Sequence, residues 1–141
     1  MRGLGFICCL TPSLTHTGHF YPVRALKKLI RTASYAHFSQ LHWHITDSQA
    51  WPIDLPGFPE LAAKGAYDTT SVYSPADVRE VVEYANAHGV DVMLEIDIPG
   101  HTASIGELYP EHIACMYRQP WQTYAAEPAP GQLRCATSAV T

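Results

Sequence analysis

Two short apolar runs, Gln40–Thr46 and Val90–Ile96, flank a segment patterned as a helix. That order constrains the fold more than any other feature of the chain. Strands that alternate with helices build a parallel sheet joined by crossovers. In the first run Leu41, Trp43 and Ile45 alternate with His42 and His44, so one side is apolar and the other carries imidazoles. In the second, Val90, Val92, Leu94 and Ile96 share one face. Between them, Ser74 is a good N-cap, Pro75 suits the first helical position and Asp77 the first turn. Val78, Val81, Val82 and Ala85 make the buried stripe, and Gly89 stops the helix. An earlier helix starts near Pro22, with Leu26, Leu29, Ile30 and Ala33 at helical spacing.

The remaining segments complete the pattern. Gly3–Leu10 reads as a buried strand and Thr11–His19 as a loop. The stretch 47–70 holds Pro52, Pro56, Gly57, Pro59 and Gly65 and reads as a long loop, with one helical turn at Pro59–Lys64. From Pro99 onward, Pro, Gly and aromatic residues predict extended loop. Three strands can be counted in 141 residues, whereas a closed eight-stranded α/β barrel takes about 250. The fold class expected is α/β: a partial (β/α)8 barrel with about three parallel strands and long loops after them. Its third strand would leave an open apolar edge, a pairing hazard.

Both runs end in chemistry. His42-Trp-His44-Ile-Thr-Asp47 closes the first, and Glu95-Ile-Asp97-Ile-Pro-Gly-His101 closes the second. Barrel enzymes keep their active-site residues at the C-terminal ends of the strands. Asp47 reads either as a turn cap or as a site carboxylate at the sheet's mouth. Asp97 and His101 stand four apart across a Pro-Gly turn. A carboxylate beside a histidine fixes its tautomer and favours its charged form, which suits acid/base work; the same pair can simply brace a loop. His42 and His44 form an H-x-H pair. It either contributes to a metal site with Asp97 and His101, as in a metal-dependent hydrolase, or fills the sheet interior by bonding neighbours. Glu95 shares a face with Asp97, so at least one of the two should be buried and paired. Trp43, Trp51, Trp121, Tyr73 and Tyr109 read as packing.

Composition excludes several classes. The net charge is −4 with scattered Lys and Arg, which leaves no electrostatic footprint for nucleic acid. Leu4–Leu10 is far shorter than the roughly 20 residues that span a bilayer. Asn86 is followed by Ala-His, so no glycosylation sequon occurs. Cys8 and Cys9 are adjacent and read as strand fillers, while Cys115 and Cys135 lie in loop-like sequence and can pair.

Taken together, His19-Phe-Tyr-Pro-Val, Leu41-His-Trp-His-Ile-Thr-Asp47, Phe58-Pro-Glu-Leu-Ala-Ala-Lys-Gly65, Tyr73-Ser-Pro-Ala-Asp-Val and Glu95-Ile-Asp-Ile-Pro-Gly-His-Thr102 resemble glycoside hydrolase family 20, the β-N-acetylhexosaminidases. Pro120-Trp-Gln-Thr-Tyr-Ala-Ala-Glu-Pro128 resembles fungal members. The resemblance implies a (β/α)8 barrel that removes terminal β-linked N-acetylglucosamine or N-acetylgalactosamine from glycans or chitin oligomers. It implies retaining, substrate-assisted catalysis, in which the substrate's acetamide oxygen attacks the anomeric carbon. It implies no metal or organic cofactor, and a secreted or lysosomal/vacuolar parent. Asp47, Asp97 and His101 match family active-site positions and are the catalytic residues expected, in a network that supports the acid. The chain also departs from the pattern. The family's Gly-Gly-Asp-Glu motif has no counterpart, since no Asp-Glu dipeptide occurs. Gly18 stands where the family has a sugar-binding Arg. Residues 1–18 are therefore expected to be an aberrant start that includes the first strand, and 19–141 the N-terminal portion of a catalytic barrel whose missing C-terminal part is its natural partner. A chain without the acid is expected to be inactive alone, or at most to bind carbohydrate.

Overall fold

The structure, a computed structural model, describes residues 19–126 and 129–134. The strand expected at Gly3–Leu10, Cys8, Cys9 and Cys135 lie outside the described residues. The elements that position the site are α1 (Val23–Tyr35), β1 (Gln40–Thr46), α2 (Pro59–Gly65), α3 (Pro75–Ala87), β2 (Asp91–Ile96) and α4 (Ala103–Gly106).

β1 and β2 pair in parallel, with Gln40 opposite Asp91 and His44 opposite Glu95. The register slips after His44, so that Thr46 stands opposite Ile96. One side of this pair is apolar and covered by the helices. There Leu41, Trp43 and Ile45 pack with Leu26 and Ile30 of α1 and Val81 and Ala85 of α3, all at most 4% exposed. The other side carries His42, His44 and Glu95. The period-2 alternation read in β1 is therefore real, and burial of its apolar half leaves the imidazoles on the opposite face.

The helix ends obey local chemistry. Ser74 Oγ accepts the Asp77 N–H at 3.1 Å while the Asp77 carboxylate accepts the Ser74 N–H at 2.8 Å, a reciprocal capping box. At the other end of α3, Gly89 takes φ +70°, its N–H donates to the Asn86 carbonyl, and the Val90 N–H reaches the Ala85 carbonyl. That is the Schellman arrangement. α1 ends the same way with His37 at φ 59° in the glycine position, and Phe38 N–H donating to Ala33. Pro22 sits at the N-cap of α1, one residue before the helix, so α1 begins at Val23.

Two expectations need correction. The segment after Pro99 is not simply extended loop. It holds α4, two short 3-10 turns, and a small antiparallel pair, β3 (Ile113–Ala114) with β4 (Gln132–Leu133). Ala103, Ile105 and Ile113 are at most 9% exposed, so tertiary burial orders a stretch whose Pro and Gly content argued against structure. Second, the face 90–96 is unevenly covered. Val90 is buried, but Leu94 is 38% exposed. Two of the parallel strands expected, β1 and β2, are seen among the described residues, and the other, Gly3–Leu10, lies outside them. The helical turn at Pro59–Lys64 is present as α2, and Trp43 and Trp51 are packing residues, 2% and 3% exposed.

Candidate active site

The polar face of the sheet and the loops that leave it form one cluster. Immediately after β1 the chain folds back, with Asp47 N–H donating to the Ala50 carbonyl at 3.0 Å and Ala50 N–H to Asp47 O at 3.3 Å. Ser104 Oγ of α4 donates to the same Asp47 carbonyl at 2.9 Å. This pins a carboxylate that is only 3% exposed. Its Oδ1 accepts the Ser48 N–H at 2.5 Å and lies 3.1 Å from His101 Nδ1. A buried carboxylate on Nδ1 fixes which ring nitrogen carries the proton and directs Nε2 outward.

His101 reaches Asp47 because its backbone is in the left-handed region, φ 52°. The turn before it is strapped by the small β-pair. Leu133 N–H donates to the Pro99 carbonyl at 2.8 Å, and Thr102 N–H donates to the Gly131 carbonyl at 3.2 Å. The sequence reading missed this strap, since no local pattern links residues thirty positions apart. A shallow cleft of about 70 Å³ opens beside His101, lined by Ser48, Gly100, Gly131 and Gln132. An apolar groove of about 180 Å³ lies at the opposite ends of the strands, against Leu29, Phe38 and Val90, away from every one of these carboxylates.

Asp97 is not the partner of His101, as its spacing suggested. Its N–H donates to Thr46 Oγ1 at 3.2 Å, which turns the carboxylate toward the sheet face. Asp97 Oδ2 stands 3.4 Å from His44 Nε2, and Glu95 Oε1 stands 3.9 Å from the same nitrogen. The other Glu95 oxygen is bonded to His42 Nε2. Burial holds the Asp97 carboxyl above the usual range, with Asp47 and Glu95 adding to that and His101 and His44 opposing it. Asp47, Asp97 and His101 thus lie together at one rim, with Asp47 and His101 in direct contact. Glu95, His42 and His44 join them. The signal for Glu95 was its shared face with Asp97; nothing local pointed to Ser104 or Thr46.

A metal set of His42, His44, Asp97 and His101 is not assembled. His42 is committed to Glu95 and His101 to Asp47. Among the described residues, only His44, Glu95 and Asp97 bring donor atoms within 4.8 Å of one another, the makings of a three-donor site.

The catalytic domain of glycosyl hydrolase family 20 matches residues 14–141. The chain belongs to glycosyl hydrolase family 20. Within the family it is similar to a β-hexosaminidase of Arthroderma benhamiae, 43% identical over 115 residues that make up 82% of this chain and 19% of the relative. It is 41% identical to a probable β-hexosaminidase of Drosophila melanogaster, across 82% of this chain and 18% of that one. Among solved structures, a β-N-acetylhexosaminidase superposes with a TM-score of 0.70 at 29% identity, covering 86% of this chain and 28% of the other. A family 20 β-N-acetylglucosaminidase gives 0.67 at 32%, covering 83% and 28%. The fold is accordingly part of the family 20 TIM barrel, and the polar face of β1 and β2 is its interior. The chain spans about a fifth of the length of the relatives it matches.

Proposed function

We propose that this chain supplies the early strands of a β-N-acetylhexosaminidase active site, acting on terminal β-linked N-acetylglucosamine or N-acetylgalactosamine. The observation that carries the reading is the buried Asp47 carboxylate on His101 Nδ1, at a rim where two parallel strands end. A buried anion behind an imidazole fixes its tautomer and holds the ring in one orientation. In substrate-assisted hydrolysis the acetamide oxygen of the sugar is the nucleophile, so the protein must position the sugar and tune the proton donor. Asp47, Asp97 and His101 suit that supporting role: none is placed as a free nucleophile, and Asp47 and His101 both bear on the charge of Asp97. On this reading residues 19–141 are the N-terminal portion of the barrel, the parent substrate is an N-acetylhexosamine-terminated glycan or chitin oligomer, and the reaction belongs in a secreted or lysosomal/vacuolar compartment.

A chimera tests it. Residues 19–134 replace the corresponding segment of the A. benhamiae β-hexosaminidase, and hydrolysis of a chromogenic N-acetyl-β-glucosaminide is followed. The chimera should turn over, and His101→Ala or Asp47→Asn in it should lower kcat about 10²-fold, the size of a misplaced catalytic group. A folded chimera indifferent to both substitutions would refute the assignment.

A further inference from the structure

We propose that His44 is a positioning residue of this site: set opposite Glu95, it holds the Asp97 carboxylate in place from within the sheet. The inference deepens the glycosidase reading and rests on it for its consequence, but its geometry stands alone.

The register places His44 directly opposite Glu95, and strand alternation brings Asp97 onto the same face two residues on. His44 Nε2 therefore faces two carboxylate oxygens, Asp97 Oδ2 at 3.4 Å and Glu95 Oε1 at 3.9 Å. An ionised carboxylate offers no proton, so against ionised Asp97 this approach is attractive only when Nε2 carries one. Nε2 is buried and makes no hydrogen bond, which leaves its donor capacity available to the nearer carboxylate, Asp97. Glu95 is itself held. Its second oxygen bonds His42 Nε2, and the two imidazoles lie nearly parallel, 9° apart with centroids separated by 6.5 Å. The result is a ladder from His42 through Glu95 and His44 to Asp97.

The ladder matters because of what surrounds Asp97. Asp47 from the loop after β1 and Glu95 from β2 disfavour its charge, as does burial. His101 and His44 favour it, and His101 already serves Asp47. His44 is thus the imidazole beside Asp97 that is not already bonded to Asp47.

Nuclear magnetic resonance on the full chain decides this without any turnover measurement, so its failure is distinct from failure of the glycosidase reading. First, the ring ¹⁵N shifts of wild-type His44 should show a proton on Nε2; a bare, acceptor-type Nε2 overturns the proposal, and no variant is needed to see it. Second, the ¹³C titration of the Asp97 carboxyl should move to higher pH in His44→Gln and stay put in His112→Gln, whose imidazole is exposed beside Glu111. A folded His44→Gln chain with an unchanged Asp97 titration overturns it. So does stoichiometric Zn²⁺ uptake that shifts His44 Nε2, which would make the cluster a metal centre.

Discussion

Removing one oxygen from Tyr73 tests how far a single hydroxyl organises the chain. Tyr73 is 1% exposed, and its hydroxyl both accepts the Tyr21 N–H and donates to the Tyr21 carbonyl, each at 2.8 Å. Burial pushes its pKa up to about 12. Its ring meets Phe20 and stands edge-on to Trp43, with centroids 4.6 and 5.0 Å away. Tyr73→Phe keeps the packing and strands two backbone groups, so urea denaturation should show a loss of about 1–3 kcal/mol. Asp97 offers a second test through pH. Burial raises its pKa in the fold above the ordinary 3.8, so between the two values the native state holds the proton more tightly than the unfolded chain does. This group therefore contributes a loss of stability as pH climbs from 3.8 through the raised value, and nothing further above it. The stability difference between wild type and Asp97→Asn, followed through that window, should shift against the wild type as pH rises; a difference independent of pH would contradict the burial argument.

Both long helices end in the same backbone motif, yet only one was legible. Gly89 announced the end of α3, because glycine at a helix terminus is the usual left-handed residue. The identical turn after α1 is made by His37, exposed at φ 59°, and nothing in its side chain announces it. Two opposite outcomes follow. Gly89→Ala, at φ +70° with open space around the new Cβ, should cost about 1–2 kcal/mol from backbone strain alone. His37→Gly should raise stability by up to about 1 kcal/mol, the relieved strain exceeding glycine's own entropic cost of about 0.5–1 kcal/mol. Thermal denaturation of the two variants checks the signs. More broadly, α1, β1, α3 and β2 were readable because each repeats its signal over several residues, and the capping box of Ser74 and Asp77 was written out locally. The strap that pins His101 was not, since it depends on Gly131 and Leu133 meeting Pro99 and Thr102 across the fold. For the same reason Asp97 was matched to the wrong histidine: four residues of sequence separation counted for less than the left-handed turn at His101, which carries its ring to Asp47, while Asp97 faces His44.

At the scale of the molecule, the sheet arranges groups that tune and hold. General acid catalysis is worth about 10²–10⁴-fold, and it multiplies with orientation of the reacting acetamide. His101 is engaged by Asp47 through Nδ1, His44 faces two carboxylates, and Glu95 is bonded to His42, so each of these groups already has a neighbour within the cluster. Asp97, although its carboxyl sits above the usual range, has its backbone tied to Thr46 and its oxygen turned to His44, away from the cleft beside His101. No Asp-Glu dipeptide occurs in the 141 residues to take the two roles that the family's motif combines. The full chain assayed alone on a chromogenic N-acetyl-β-glucosaminide should therefore show no turnover above the uncatalysed rate, even while the chimera that carries the same residues 19–134 is active. Hydrolysis by the purified chain, abolished by Asp97→Ala, would mean that this rim holds its own acid, and Asp97 would then be the group that supplies the proton.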